Sequence, residues 1–136
     1  MATGPKQLKE IIKNAEWFDQ ETMQVYAFNI PKTVEVGNKI TILIEATANN
    51  LRGYGSNRSH IVWRTGAIRI FYPDSYENDY EYFYMRVVDE LEDHNFGVQS
   101  VYGPNYTPDT ETIYVRIKYQ KTDYKEDVVE LGNEKP

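Results

Sequence analysis

Residues Thr110 to Tyr119 alternate between apolar and polar side chains, and this alternation limits the folds open to the chain. The apolar set is Ile113, Val115, Ile117 and Tyr119, and the alternate set is Tyr114, Arg116 and Lys118. Successive side chains of a strand point to opposite faces of its sheet. The segment is therefore predicted to be a strand with one buried face and one wet face.

Two other segments have the periodicity of amphipathic helices. In the first, apolar residues recur at i, i+3, i+4 and i+7, which predicts a helix from Pro5 to about Phe18. The second follows the break and cap of Pro73-Asp74-Ser75 and stops near Asn95 and Gly97. A helix of about twenty residues spans roughly 30 Å and covers one face of a small sheet.

The remaining regular segments are predicted to be strands. They are MQVYAFNIPK, which ends at Pro31, then Lys39 to Thr47, His60 to Tyr72, and Gly97 to Tyr102. Gly66 lies in the middle of the third segment and indicates a bulge or a close backbone approach. GPNYTPDT has the composition of a turn-rich connection. Helices and strands together predict a single α+β domain.

Composition excludes several classes of protein. The 136-residue chain has no cysteine, which excludes disulfides, thiolate nucleophiles and cysteine-based zinc sites. Its N-terminal segment lacks the apolar core of a secretory signal, and no run of about 18 apolar residues offers a membrane span. We therefore expect a soluble intracellular protein. The domain is predicted at residues 1–122, and residues 123–136 are predicted to form an acidic, flexible C-terminal tail.

The net charge of -6 is distributed unevenly along the chain. No acidic residue lies between Glu45 and Asp74, whereas four arginines do. From Asp74 to Phe96, eight acidic residues stand against Arg86 alone. A solvated helix beside a solvated loop is the simpler interpretation of such runs. Surfaces of opposite sign on one molecule also suit head-to-tail association between copies.

No motif for catalysis or cofactor binding occurs in the sequence. Gly53-Tyr54-Gly55 lacks the third glycine of a dinucleotide fingerprint, and neither a phosphate loop nor a nucleophile elbow is found. His60 and His94 are the only histidines, and neither has a partner at i+3 or i+4. His94 is expected to interact with the C-terminal end of the second helix. We predict no enzyme activity, no cofactor and no bound metal.

Several short stretches resemble small tail proteins of siphophages that infect Gram-positive bacteria, encoded near the major tail protein. These proteins are similar to tail terminators, and the resemblance covers roughly Leu8 to Thr122. The best-matching stretches are Phe28-Asn29-Ile30-Pro31, Gly53-Tyr54-Gly55-Ser56-Asn57, Ile70-Phe71-Tyr72 and Pro108-Asp109-Thr110.

The resemblance implies a structural role in a virion. It implies a homo-oligomeric ring, usually a hexamer, that caps the finished tail tube, stops its polymerisation and presents a surface to the head connector. The implied fold is a mainly antiparallel small sheet with two helices packed on one face. The expected partners are the chain itself, the major tail tube protein and the head–tail connector protein. No membrane and at most transient contact with phage DNA are expected, in a virion tail assembled in the host cytoplasm.

The segment NNLRGYGSNRSH, residues 49 to 60, is predicted to be a twelve-residue loop, and such long loops are often functional. A glycine-rich loop becomes ordered against a neighbouring subunit when an aromatic side chain is buried there and arginine guanidinium groups form ion pairs with it. We hypothesise that it crosses a subunit boundary to the acidic second helix of the next copy. The predicted interface residues are Arg52, Tyr54 and Arg58 in the loop and Glu81, Glu90 and Asp93 on the helix.

Other interpretations remain open. A nucleic-acid-binding module would use the same arginines with Tyr54, Trp63 and Tyr72 as stacking platforms, although the net charge of -6 opposes strong backbone binding. An enzyme would need a pocket that joins His60 or His94 to buried carboxylates. A head-completion or connector ring protein is the nearest alternative among virion parts.

Overall fold

The computed structural model describes residues 4–52 and 61–124, with side chains for residues 4–47 and 64–122. Within these residues the chain forms two helices and five strands. In chain order they are α1 (Pro5–Lys13), β1 (Met23–Ala27), β2 (Ile40–Arg52), β3 (Ile61–Tyr72), α2 (Tyr80–Asp93), β4 (Gly97–Thr107) and β5 (Thr112–Tyr124).

The described strands form one mixed sheet in the order β1-β2-β3-β5-β4. β1 and β2 are parallel, and the other neighbouring pairs are antiparallel. Both helices pack on the same face, because Leu8 of α1 and Phe83 of α2 belong to one cluster with Ile42, Ile68 and Ile117 of the central strands. The predicted α+β fold, a mainly antiparallel sheet with two helices on one face, is confirmed.

α1 is shorter than its apolar periodicity predicts. It has Pro5 in its first turn, as expected, but it ends at Lys13 rather than near Phe18. The N–H of Asn14 still donates to the Glu10 carbonyl, but that of Ala15 donates to the Ile12 carbonyl in a tighter i to i+3 bond, which closes the helix. Trp17 then reaches the core from a turn, with its ring centroid 5.6 Å from that of Phe83. The apolar residues beyond Lys13 thus join the core without being helical.

α2 begins later than predicted and ends where predicted. Its N-cap is Asp79, whose side chain accepts from the Glu81 N–H at 3.0 Å, so Pro73-Asp74-Ser75 precedes the helix and does not cap it. At the other end, Asn95 adopts a left-handed conformation with φ 65°. The N–H of Phe96 donates to the Leu91 carbonyl at 2.9 Å, the bond of a Schellman motif. Gly97 is already the first residue of β4.

The predicted loop at residues 49 to 60 is partly wrong. β2 continues to Arg52 and pairs with β3 from Asn49 opposite Arg64 to Arg52 opposite Ile61. Main-chain pairing with a strongly β-forming partner overrides the low strand propensity of Asn49 and Asn50. Residues 53–60, which include Tyr54 and Arg58, lie outside the described residues.

β4 and β5 are both longer than predicted. β4 runs to Thr107 and includes Pro104, from the segment predicted to be turn-rich. Proline is tolerated there because β4 is an edge strand with register shifts. In β5 the predicted alternation is confirmed, with Val115, Ile117 and Tyr119 buried. β5 extends to Tyr124, beyond the predicted start of the tail at residue 123, and residues 125–136 lie outside the described chain.

Gly66 of β3 lies in close contact with the β2 backbone and with Tyr119 of β5, as its place in the sequence indicates. A Cβ atom there would lie 2.3 Å from the Glu45 carbonyl oxygen and 2.3 Å from the Tyr119 hydroxyl. The Tyr119 hydroxyl donates to that same carbonyl at 3.2 Å. A register shift between Ala46 and Ala48 of β2 lies beside this contact. Only glycine leaves room for the tyrosine that bridges β5 to β2.

Gly66→Ala is expected to lower the free energy of unfolding by about 2 to 3 kcal/mol, because backbone and tyrosine must both shift. Gly37→Ala is the matched control, since nothing lies within 4 Å of a Cβ built there. That substitution is expected to change the free energy of unfolding by less than about 0.5 kcal/mol. Urea unfolding followed by circular dichroism measures both, and equal effects would contradict this account of Gly66.

Tyr119 gives a second prediction, for alkaline pH. Burial raises the pKa of Tyr119 from the ordinary 10.0 to about 12. The folded state therefore holds the proton where the unfolded state loses it, so the stabilisation is complete below pH 10 and is lost as pH rises through 12. One such group changes the free energy of unfolding by at most about 1.4 kcal/mol per pH unit.

Tyr119→Phe is expected to flatten this alkaline loss while lowering stability at neutral pH by about 1 kcal/mol, the value of one hydrogen bond. Urea unfolding at a series of pH values measures the slope. Tyr106→Phe, at an exposed ring, is the control and is expected to keep the wild-type slope. A Tyr119→Phe slope equal to that of wild type would refute the assignment.

Candidate functional site

The face of the sheet opposite the helices carries a row of charged and aromatic side chains, which we call the open face. Residues paired across neighbouring strands share a face. The central row consists of Tyr26, Leu43, Arg69, Arg116 and Tyr102. The row beside it places Lys118 opposite Ala67, next to Glu45 of β2. Three basic residues and one acidic residue thus lie close together in a protein whose net charge is -6.

The connection from β1 to β2, residues 28–39, covers one end of this face. The Gln24 side chain donates to the Glu35 carbonyl at 3.3 Å and to the Thr41 hydroxyl at 2.8 Å. Thr41 is fully buried as a result, although no helix covers this side. The parallel pairing of β1 and β2 requires this crossover. The β3, β5 and β4 part of the face is therefore the part that remains for a ligand or partner.

Arg69 and Arg116 form a pair of like charges at the centre of the open face. They are directly opposite each other on adjacent strands, which are about 4.8 Å apart. The Arg69 Nε atom lies 3.0 Å from Glu45 Oε1, and the Arg69 side chain is 43% exposed. The Nε atoms of both arginines are buried and make no hydrogen bond within the described part of the chain. Like charges directly opposite are unfavourable in a sheet, so the pair has unused capacity for an anion.

Aromatic rings frame the arginine pair. The Phe71 and Tyr114 rings, on β3 and β5, are 6.1 Å apart between centroids and form the row on one side of it. Tyr102, opposite Arg116 on the edge strand, is 52% exposed. Exposed tyrosine beside arginine is typical of contact surfaces, where a ring and a charge are buried together. Phe71 is buried, so the open face offers the rings of Tyr102 and Tyr114, together with positive charge, to the same ligand.

The opposite side of the molecule carries negative charge. α2 has five acidic residues against Arg86 alone. Its buried residues face the sheet, and the residues on its other side form an exposed stripe, which we call the outer ridge. The outer ridge consists of Tyr82, Met85, Asp89, Glu92 and Asp93. Tyr82 is 60% exposed and Met85 is 44% exposed, which is high for large apolar side chains. Arg86 lies over the Tyr82 ring at 4.4 Å and donates to its hydroxyl, which positions that ring.

The structure separates the helix residues that the sequence analysis grouped as an interface. Glu81 and Glu90 are nine residues apart, which places them on opposite sides of α2 at about 100° per residue. Glu90 lines a groove with α1, and Asp93 lies on the outer ridge. Arg52 ends β2, but its side chain is outside the described residues, as are Tyr54 and Arg58. The predicted loop-to-helix contact remains a prediction.

His94 has the structural position expected for it. It is the C-cap of α2, and its Nδ1 lies 3.0 Å from the Glu90 carbonyl oxygen and 3.5 Å from Glu90 Oε2. No group of three metal-binding side chains was found among the described residues. His60 lies outside them, so the absence of a metal and of enzyme activity stays a prediction.

Tyr72 is a correction. A nucleic-acid-binding role would use it as a stacking platform for bases, but it is buried, and its hydroxyl donates to the Tyr80 carbonyl at 2.9 Å. Its ring packs against Tyr76 and Tyr80 at 4.9 and 4.7 Å between centroids. Burial is also the main reason that the pKa of Tyr72 is raised. Tyr72 closes the core beside α2 and cannot receive a base.

Sequence reasoning missed the arginine pair. The alternation in β5 places Arg116 on the wet face. The same rule applied to IRIFY places Arg69 on the other face of its strand from Ile68 and Ile70. Strand order was the missing information, because β3 and β5 are neighbours only through a crossover by way of α2 and β4.

Arg116→Gln is expected to leave the free energy of unfolding unchanged or to raise it by up to about 1 kcal/mol, since it removes one of two opposed like charges. Any gain is expected to shrink at high salt. Arg69→Gln is the control, because it also removes the partner of Glu45. Urea unfolding at two salt concentrations tests this. A loss of more than about 1 kcal/mol with Arg116→Gln would make Arg116 a structural group rather than a binding one.

Comparison with known proteins places the chain in a family. No helix in the described part of the chain has the length and apolar character to cross a membrane. A search of curated proteins finds no match. The family described as "Protein of unknown function (DUF806)" has a model that matches residues 4–123, which include the open face and the outer ridge. The chain therefore belongs to the DUF806 family.

Proposed function

We propose that this protein is a tail terminator of a siphophage. It forms a homo-oligomeric ring, expected to be a hexamer, that caps the tail tube, stops its polymerisation and provides the head-attachment surface. The role is structural and requires no cofactor. Assembly takes place in the host cytoplasm, and the protein remains in the virion tail.

One observation carries the proposal beyond the sequence resemblance. The domain has a basic, aromatic open face on one side of its sheet and an acidic outer ridge on the other. Two different patches that complement each other produce a heterologous contact, and heterologous contacts close into rings or continue as filaments. Such a contact suits a ring protein, whereas a monomeric domain has no need of it.

The energetics favour assembly on a template. Exposed ion pairs contribute only about 0 to 1 kcal/mol each, so burial of rings such as Tyr82 and Tyr102 must supply most of the affinity. A weak contact between free copies becomes effective when a tube end holds several copies side by side. A chain that is monomeric in solution and forms a ring on the tube is consistent with this function.

The test mixes the purified chain with the major tail tube protein from the same genome. Electron microscopy is expected to reveal a cap at one end of tubes that are shorter than tubes grown alone. An unrelated acidic protein of similar mass is the control for charge. Unchanged tube lengths with bare ends would refute the proposal. If the protein is instead seen bound to the head connector, its role is head completion.

The open face also favours a second candidate, a module that binds single-stranded nucleic acid. Arg69, Arg116 and Lys118 would meet phosphates, and Tyr102 and Tyr114 would stack with bases. The net charge of -6 opposes this binding. Fluorescence anisotropy with a single-stranded DNA oligonucleotide tests it, since phosphate contacts would give a steep loss of affinity with salt.

A further inference from the structure

We infer that the outer ridge of α2 in one copy lies along β5 on the open face of the next copy. In this contact Met85 meets Tyr114, Asp89 meets the Arg69 and Arg116 pair, and Asp93 meets Lys118. The inference rests on the proposed ring function and identifies the surfaces that would form the ring.

The spacing of charges on the two surfaces agrees. Asp89 and Asp93 are four residues apart on α2, about 6 Å along the helix. Arg116 and Lys118 are two residues apart on β5, about 6.7 Å along the strand. The two pairs can therefore be engaged at once by a helix that lies parallel to the strand.

The apolar residues extend the same register. Met85 precedes Asp89 by one turn, and Tyr114 precedes Arg116 by two strand residues. From Met85 to Asp93 the helix rises about 12 Å, and from Tyr114 to Lys118 the strand extends about 13 Å. The contact thus has an aromatic and thioether end and a charged end, so burial and charge select one direction.

Of the residues on the open face, Arg69 and Arg116 would be stabilised most by the outer ridge of a second copy. A carboxylate placed between Arg69 and Arg116 would accept from both guanidinium groups, and such charge-assisted bonds are about twice as strong as neutral ones. Glu45 is engaged with Arg69 only, which leaves Arg116 without an ion-pair partner among the described residues. The α2 helix of the same copy cannot supply this acid, because it lies on the other face of the sheet.

A second copy fits this surface better than a nucleic acid does. The ridge carries three carboxylates, and its own chain supplies the matching cations. A polyanion on the open face would meet a molecule with a net charge of -6, and such repulsion weakens backbone binding. Charge complementarity within one sequence therefore favours self-association.

The natural absence of cysteine allows a direct test. Met85→Cys and Tyr114→Cys in one chain are treated with a short bis-maleimide cross-linker, alone and with tube protein. Because the two positions lie on opposite sides of the sheet, every cross-link joins two copies. A ladder of multimers is expected on a denaturing gel. Lys13→Cys with Tyr114→Cys is the control pair and is expected to give no ladder.

Charge reversal tests the electrostatic part. In the Met85→Cys, Tyr114→Cys background, Arg116→Glu is expected to lower the cross-linked fraction about tenfold. Asp89→Arg is expected to lower it equally, and the two reversals together are expected to restore it. Lys13→Glu makes the same charge change at the exposed end of α1 and is expected to have no effect. Circular dichroism establishes that each variant is folded.

The outcomes separate this inference from the function on which it rests. If the wild-type chain caps tubes but the cysteine pair gives no more ladder than its control, the ridge-to-strand contact is wrong and the terminator function stands. If the wild-type chain neither caps tubes nor gives a ring, the function itself fails. If the double reversal does not restore cross-linking, the proposal that a second copy occupies the open face is refuted. It is also refuted if Arg116→Glu abolishes oligonucleotide binding while no ladder forms.

Discussion

Both helices of this domain lie on the same face of a five-stranded sheet, and the other features follow from that one-sided coverage. A strand alternates its side chains, so every buried residue of β5 fixes its neighbours on the other face. Val115 and Ile117 enter the core, and Arg116 must then face outward. A register slip of one residue would expose the whole apolar set, which makes the slip prohibitive. The core therefore holds the arginine pair in place.

Stability alone does not account for the open face. A sheet face that served only the fold would not place Arg69 opposite Arg116 with a single glutamate, bound to Arg69, to balance the two charges. Nor would a helix that served only the fold leave Tyr82 and Met85 exposed on its outer side. Residues that weaken an isolated domain are often those that a partner requires. The two departures occur on opposite sides of the molecule, which is the arrangement that a head-to-tail contact needs.

The sequence predicted the class of fold and the buried side of β5, because these depend on local periodicity. The end of α2 was also readable, since Asn95 adopts the left-handed conformation that closes a helix. Other boundaries were not readable. The hairpin extension through Asn49 and Asn50 depends on the partner strand, and the short α1 depends on how Trp17 meets Phe83. The arginine pair depends on strand order, which no local pattern encodes.

The distribution of charge determines how two copies are oriented in a contact more than how tightly they bind. Two open faces brought together would oppose four arginines, and two outer ridges would oppose six carboxylates, so both symmetric pairings are disfavoured. Only the ridge-to-face arrangement brings opposite charges together, and it leaves one unused ridge and one unused face after each addition. Weak ion pairs suffice for this selection, because they need only make the wrong pairings worse. In the proposed ring, affinity would then depend on aromatic burial and on the local concentration of copies, which a tube end would raise.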